Sequence, residues 1–270
     1  MGASFLAKNH RRRDSLRVYK EQIWQKAPSP DQIRHVFPNV ITIVGMCLGL
    51  SAIRFAFSHY WEWSVMCILA ASVFDMADGR VARFLGSASD FGAELDSLAD
   101  FLCYGVAPAL VIYFHSLSAC PGLGWALCLF FMTCSALRLA RFNVYRLLSK
   151  KVSWGDYFSV GVPAPGGAFI ALLPFFLHFS SGMEWMFPWY FLVTLALGGG
   201  LMVSRLPTLV FKRFPFAKHR LPLLLLGVAL ITGGLFSMPW AVMTVLTVAY
   251  IASIPWSFLW VKRRRHLTPS

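Results

Sequence analysis

The chain has 270 residues, a net charge of +13 and 57% hydrophobic residues, and its mean hydropathy is +0.59. Only 14% of its residues are charged, whereas a typical soluble domain carries about 25%. This composition excludes an ordinary water-soluble domain, because so much apolar surface needs an apolar solvent. We therefore expect an all-α, polytopic membrane helix bundle.

Hydropathy predicts about eight membrane-spanning helices of roughly 20 residues, the length that crosses the hydrocarbon core of a bilayer. A basic arm over residues 1–36 precedes them, and its pattern suits either a short interfacial helix or a disordered segment. The last two helices and a basic tail occupy residues 205–270. The predicted spans lie near residues 37–58, 61–80, 92–115, 122–145, 160–180, 186–204, 221–237 and 239–261.

The basic residues are distributed unevenly along the chain. All but Arg54 of the 25 Lys and Arg residues lie in the arm, in the tail, or around the loops after the second, fourth and sixth spans. The positive-inside rule then predicts both termini and these loops on the cytoplasmic side of the cell's inner membrane. The charge is thus a topology signal that also favours anionic lipid headgroups. Its placement argues against nucleic acid as a partner.

Half of the 12 acidic residues fall between residues 75 and 100. Asp75 and Asp78 are three residues apart at the end of the second span, and Asp96 and Asp100 are four apart at the start of the third. Each pair therefore shares a helix face. A short turn over residues 86–92 would make the two helices antiparallel neighbours. We expect the four carboxylates to meet around one point near the cytoplasmic side.

Such a cluster needs a concentrated positive charge. Each unpaired Asp near the membrane core costs about 2.5–3.5 kcal/mol, and mutual repulsion adds to this. Arg83 supplies only one positive charge nearby. Hard divalent cations prefer carboxylate oxygens, and no His or Cys stands within the cluster, so zinc is disfavoured. We predict two Mg²⁺ or Mn²⁺ ions held by the four Asp, an arrangement suited to phosphoryl transfer.

Small residues beside the carboxylates indicate room for a ligand. Gly79 and Gly92 lie within predicted helices, where glycine costs about 1 kcal/mol relative to Ala. That cost is reasonable where a ligand must approach the backbone closely. Ala82 keeps the same face open, and the planar guanidinium of Arg83 suits a diphosphate.

These residues resemble the signature of the CDP-alcohol phosphotransferase family at every fixed position. The resemblance implies a family core over residues 37–204. It also implies transfer of a phosphatidyl or related group from a CDP-linked donor to an alcohol, with release of CMP. The matching pattern reads Asp75-x2-Asp78-Gly79-x2-Ala82-Arg83-x8-Gly92-x3-Asp96-x3-Asp100.

The resemblance also implies a role for each matched residue. The four Asp would hold two divalent metal ions, and Asp100 would also be the general base. Asn39 and Thr42 resemble a polar pair near the nucleotide at the start of the family's first helix. Family members often form homodimers, and the sequence leaves open whether this chain does so. The residues implied to line the CDP site are Asn39, Thr42, Gly79, Ala82, Arg83 and Gly92.

Residues 91–100 and 135–143 further resemble the bacterial branch of this family that uses L-serine. That resemblance implies CDP-diacylglycerol as the donor and L-serine as the acceptor. The carboxylate of serine needs a cation, and Arg138 and Arg141 are the candidates. Asn143 would bind the amine or remain structural. Both arginines would equally suit anchoring of the helix at phosphate headgroups.

Three alternatives stay open. Either arginine could bind phosphate, so synthesis of phosphatidylglycerophosphate or phosphatidylinositol by the same family is not excluded. An ion-coupled transporter also carries intramembrane Asp residues, but usually near the midplane on broken helices. Here the acids cluster at a helix end beside an Arg and glycines, which favours a nucleotide site. A membrane scaffold whose basic loops bind partners leaves the four Asp unexplained.

Overall fold

The computed structural model describes residues 30–87, 89–147, 158–182, 187–204, 206–209 and 221–265. These residues are helical almost throughout, which confirms the all-α fold class. Most of the predicted basic arm lies outside the described residues. The first helix begins at Pro30, earlier than the expected residue 37.

Within the described residues, each of the eight predicted spans corresponds to one helix or one continuous helical rod. A π-helical segment, Phe101–Val106, joins α3 to α4 and makes the third span a single rod. A 3₁₀ turn, Leu117–Ala119, follows this rod. The helices are α1 Pro30–Phe57, α2 Trp61–Phe84, α3 Asp90–Asp100, α4 Ala107–His115, α5 Pro121–Leu147, α6 Ala164–Ser181, α7 Pro188–Val203, α8 Leu221–Ser237 and α9 Pro239–Arg265.

Five helical segments are long and apolar enough to cross a membrane: Val36–Phe57, Asp90–His115, Pro121–Tyr145, Ala164–Ser181 and Pro239–Ser257. Two more, Pro188–Val203 and Leu225–Ser237, are apolar but shorter. Large apolar side chains such as Leu50, Phe130 and Leu197 are exposed on the outside of the bundle. Lipid tails would cover such surfaces, so the chain is an integral membrane protein.

The turn between α2 and α3 brings the acidic ends of both helices together. Gly86 has φ +61° and follows the last helical turn of α2, where its N–H bonds to the Arg83 carbonyl oxygen at 3.3 Å. This left-handed glycine stops α2 in the usual way. Ser89 then caps α3, because its Oγ accepts a hydrogen bond of 3.0 Å from the N–H of Gly92.

Helix α1 packs against α2 along its length and also contacts α3 and the π-helical segment. At Gly49 a Cβ atom would lie 2.6 Å from the Cys103 Sγ, so only glycine permits this approach. An aromatic cluster lies at the ends of α2 and α4 that are distant from the acids. Its rings are close, with Trp61 and His115 centroids 4.7 Å apart and Phe175 packed on His115 at 4.8 Å.

A two-stranded antiparallel ribbon, absent from the predictions, joins two interhelical segments. Strand β1, Phe158–Val160, pairs with β2, Pro207–Leu209, with Ser159 opposite Thr208. The predicted start of the fifth span at residue 160 therefore falls in a strand, and α6 begins at Ala164. The ribbon ties the segment before α6 to the end of α7.

Candidate active site

Three of the four predicted carboxylates converge between α2 and α3. Asp75, Asp78 and Asp96 each offer one carboxylate oxygen, and these oxygens lie within 4.8 Å of one another. Asp75 and Asp78 share a face of α2, and Asp96 approaches from α3 after the turn at Gly86. Among the described residues this is the single group of three or more His, Cys, Asp or Glu side chains that could hold a metal ion.

A small chamber of about 10 Å³ lies at these carboxylates, which is space for roughly one water-sized particle. Asp100 lines this chamber, although its carboxylate is not among the three oxygens that lie within 4.8 Å. The structure thus gathers three Asp tightly and places the fourth in the same wall. The lining residues are Thr42, Gly45, Ala71, Asp75, Asp78, Asp96, Ala99, Asp100, Cys103 and Tyr104.

A larger cavity of about 200 Å³ adjoins the chamber. Thr42, Asp78 and Asp96 line both spaces, so a ligand in the larger cavity would meet the carboxylates directly. All six residues that the sequence predicts for a CDP site lie in its wall. The complete lining is Pro38, Asn39, Thr42, Asp78, Gly79, Ala82, Arg83, Ser87, Ser89, Gly92, Ala93 and Asp96.

The two glycines of this wall serve different purposes. No atom lies within 4 Å of where a Cβ on Gly79 would stand, so this position faces open space in the cavity. A Cβ on Gly92 would lie 2.8 Å from the Asn39 Oδ1, so Gly92 permits α3 to approach α1. The exposed Arg83 remains at the cavity wall, where its Nε donates to the Gly79 carbonyl oxygen at 2.8 Å.

Buried hydroxyl groups form hydrogen bonds to Asp75 and Asp78, the two clustered carboxylates of α2. The Oγ1 of Thr42, a residue expected near a nucleotide, lies 2.6 Å from the Asp78 Oδ2 and 3.1 Å from the Pro38 carbonyl oxygen. The Tyr104 hydroxyl donates to the Asp75 Oδ2 at 3.1 Å. Tyr104 is not among the residues predicted from the sequence. Its position four residues after Asp100 was the available signal, but its partner Asp75 lies on another helix and the π-helical segment between them is not visible in the sequence.

The three predicted acceptor residues on α5 have different surroundings. Arg138 is partly buried and interacts electrostatically with Asp100. The guanidinium of Arg141 instead donates to carbonyl oxygens at the end of α7, those of Val203 at 3.1 Å and Met202 at 3.3 Å. These bonds satisfy carbonyl groups that have no partner inside the helix.

Asn143 connects α5 to α3, the helix that carries Asp96 and Asp100. Its Nδ2 donates to the Ser97 Oγ at 3.0 Å, and Ser97 lies between Asp96 and Asp100 on α3. The Ser97 hydroxyl is also 3.0 Å from the Ala93 carbonyl oxygen. Asn143 therefore has a structural partner in the protein, and its predicted contact with an acceptor amine stays a prediction.

The donor set fits a hard divalent cation. Its closest atoms are carboxylate oxygens, the ligands that Mg²⁺ and Mn²⁺ prefer, and the chamber beside them has the size of one small particle. Like charges held this close repel one another unless a cation or protons lie among them. The arrangement can therefore bind a metal ion in contact with an anionic ligand in the larger cavity.

The family model described as CDP-alcohol phosphatidyltransferase matches residues 35–199. The chain belongs to the CDP-alcohol phosphatidyltransferase family. A second family model, CDP-alcohol phosphatidyltransferase 2, matches residues 220–255. The chain is thus a transferase of this family, and the resemblance seen in the acidic motif is confirmed.

Curated relatives carry a more specific name. A CDP-diacylglycerol–serine O-phosphatidyltransferase of Mycobacterium leprae is 35% identical over 224 residues, which are 82% of this chain and 74% of the relative. The enzyme of that name from Helicobacter pylori strain 26695 is 33% identical over 234 residues, or 84% of this chain and 94% of the relative. One from Bacillus subtilis is 35% identical over 139 residues, or 51% and 75%.

Gly92 leaves no room for a methyl group beside Asn39. We expect Gly92→Ala to push Asn39 into the larger cavity and to weaken CDP binding by about tenfold, because overpacking costs about 1–3 kcal/mol. Isothermal titration of the purified protein with CDP measures this. Gly122→Ala is the matched control, since nothing lies within 4 Å of its new Cβ. Equal CDP affinities of the two variants would contradict the assignment of the cavity.

Proposed function

We propose that the chain transfers the phosphatidyl group of CDP-diacylglycerol to L-serine, forming phosphatidylserine and CMP. The observation that carries the proposal is the shared wall between the carboxylate chamber and the cavity with the six predicted CDP residues. Membership of the family supports the CDP-linked donor. The printed names of the Mycobacterium leprae and Helicobacter pylori relatives support serine as the acceptor.

In this proposal the larger cavity receives the CDP portion of the donor, while its acyl chains stay in lipid. Gly79 and Ala82 leave room on α2 for the diphosphate, and Arg83 presents its guanidinium to the phosphate oxygens. Asn39 contacts the nucleotide from α1. Binding in this cavity would bring the diphosphate to the wall formed by Asp78 and Asp96.

Two Mg²⁺ or Mn²⁺ ions are the proposed cofactors, held by Asp75, Asp78, Asp96 and Asp100. When bound, they supply the positive charge that stabilises the diphosphate and the departing phosphate of CMP. The close approach of three carboxylates and the position of Asp100 in the chamber wall support a metal ion here. The chamber has room for about one ion, and the second is proposed from the family resemblance. Without cations, the carboxylates would repel the anionic donor as well as one another.

The proposed chemical step is a displacement at phosphorus. The serine hydroxyl oxygen forms a bond to the phosphorus that carries diacylglycerol, and the bond from this phosphorus to the oxygen bridging the two phosphates breaks. The bridging oxygen leaves with the electron pair as part of CMP. Asp100 acts as the general base and takes the proton of the serine hydroxyl.

We assign the carboxylate of the acceptor to Arg138. Its electrostatic interaction with Asp100 places a permanent positive charge near the proposed base. Arg141 is less available, because it donates to the carbonyl oxygens of Val203 and Met202. Asn143 remains a candidate partner for the serine amine, alongside its bond to Ser97.

An acceptor panel tests the proposed reaction. Membranes containing the protein should release CMP from CDP-diacylglycerol only with L-serine, and a divalent chelator should abolish this release. Asp100→Asn should lower kcat by about 10²–10⁴-fold, the usual contribution of general base catalysis. Asp90→Asn, which changes an exposed acid in the first turn of α3, is the matched control and should retain activity.

The same panel separates the alternatives. CMP release that depends on glycerol 3-phosphate or inositol instead of serine would contradict the assigned acceptor while retaining the family chemistry. Serine transport without CMP formation, preserved in Asp100→Asn, would support an ion-coupled transporter. A metal-independent reaction would contradict the proposed role of the carboxylates.

The role assigned to Arg138 gives a separate prediction. Arg138→Gln should raise the KM for serine by about tenfold or more, because hydrogen bonds to charged groups contribute about 1.5–3 kcal/mol. The KM for CDP-diacylglycerol should change little. Arg80→Gln, at an exposed arginine of α2 outside both cavities, is the control. Equal increases in both KM values would contradict an acceptor-specific contact.

We also propose that the active site faces the cytoplasm from the inner membrane, as the distribution of basic residues supports. In a variant with all six cysteines replaced by alanine, Ser118→Cys should react with an impermeant maleimide in intact cells. Lys151→Cys should react only after lysis. The reverse labelling would contradict this orientation. The homodimer stays a prediction, which crosslinking in native membranes would test.

A further inference from the structure

Tyr104 is a buried aromatic residue that forms a hydrogen bond to the acidic cluster. Its side chain is 1% exposed, and its hydroxyl donates to the Asp75 Oδ2 at 3.1 Å. A buried tyrosine hydroxyl needs a partner, because leaving a polar group unpaired in an apolar interior costs several kcal/mol. Here that partner is a carboxylate of the proposed metal site, so the bond orients one of its ligands.

The π-helical segment explains why Tyr104 reaches Asp75. At 3.6 residues per turn, positions four apart drift by about 40° around a helix. In a regular α-helix Tyr104, which lies two such steps after Asp96, would therefore turn away from the face that carries Asp96 and Asp100. Between Phe101 and Val106 the hydrogen bonds close over five residues, which widens the turn and opposes this drift. Tyr104 thus stays on the acidic face, one turn deeper in the bundle.

The surroundings of Tyr104 hold its ring in place. Small buried side chains, Ala71, Ala164 and Ala168, pack with it in one cluster. The neighbouring Cys103 Sγ donates to the Gly45 carbonyl oxygen at 3.4 Å, which fixes the π-helical segment against α1. A close-packed ring has few alternative rotamers, so its hydroxyl presents a hydrogen-bond donor at a fixed position.

We propose that Tyr104 is a positioning residue, which holds the Asp75 carboxylate in its metal-binding orientation before an ion arrives. A carboxylate accepts about four hydrogen bonds or ligand contacts, so Asp75 retains capacity for an ion while its Oδ2 accepts from Tyr104. Thr42 makes the corresponding contact to Asp78 from α1. Asp75 and Asp78 are thereby each oriented by a hydroxyl from another part of the fold.

This inference rests on the proposed metal site, and it predicts a measurable loss of metal affinity. Partners that orient metal ligands typically contribute 10–100-fold to affinity. Tyr104→Phe removes only the hydroxyl and keeps the buried ring, so we expect the Kd for Mn²⁺ to rise by at least about tenfold. Loss of the free Mn²⁺ electron paramagnetic resonance signal, titrated with purified protein in detergent, measures this Kd without catalysis.

Tyr113→Phe is the matched control. Tyr113 lies on α4 in the same rod, partly buried beside Trp125, and does not line the carboxylate chamber. Its variant should bind Mn²⁺ as the unchanged protein does. A second comparison uses Asp75→Asn: adding Tyr104→Phe to it should change the Kd little, because the oriented carboxylate is already lost.

The outcomes distinguish this inference from the proposed function. Failure of the unchanged protein to bind Mn²⁺ would contradict the metal site itself. Tight binding by the unchanged protein and by Tyr104→Phe alike would contradict only the positioning role. Unfolding of Tyr104→Phe in metal-free detergent would also contradict it, since a hydroxyl that only orients a ligand is not required for folding.

Discussion

The structure depends on one electrostatic constraint, which is the burial of several carboxylates within a bundle that is otherwise apolar. Asp78 is 5% exposed, and three acids place their oxygens within 4.8 Å of one another. Each such charge is costly near a membrane core, and repulsion between like charges increases the cost. A cation or protons must offset this repulsion, and we propose that a metal ion does so. The carboxylate oxygens and the adjoining cavity fit the metal ion and anionic ligand proposed above.

Turns, helix packing and glycines around the acids bring the carboxylates together. The left-handed Gly86 ends α2 and returns the chain, so that acids distant by up to 25 positions face one another. Helix α1 lies against both acidic helices and contributes Thr42 to Asp78. Gly92 lets α3 approach Asn39, and Gly79 keeps the cavity open. Together these features bring carboxylates from two helices to one chamber beside one cavity.

The sequence predicted which residues lie close together here, because their local spacing on two neighbouring helices determines it; their roles stay predictions. Acids at i, i+3 and i, i+4 on two helices joined by a short turn leave few geometries, and the six residues expected at a CDP site line one cavity. Hydropathy located the helices, and five helical segments are long and apolar enough to cross a membrane. Asp100 lies in the same chamber wall, although outside the closest group of oxygens.

What the sequence did not predict comes from contacts between distant segments. Arg141 bonds to carbonyl oxygens at the end of α7, and the β1–β2 ribbon pairs residues almost 50 positions apart; neither has a local signature. The π-helical segment looks like ordinary apolar helix in the sequence. Its effect on Tyr104 can be recognised only in the structure, where the hydroxyl of Tyr104 contacts Asp75 on another helix.

We propose that divalent ions occupy the space between α2 and α3. Anomalous diffraction at the manganese edge, from crystals grown with Mn²⁺ and CDP, tests it most directly. The account predicts anomalous density in contact with carboxylate oxygens of Asp75, Asp78 and Asp96, adjoining the diphosphate. Carboxylates that point away from one another, with no anomalous density between them, would contradict it.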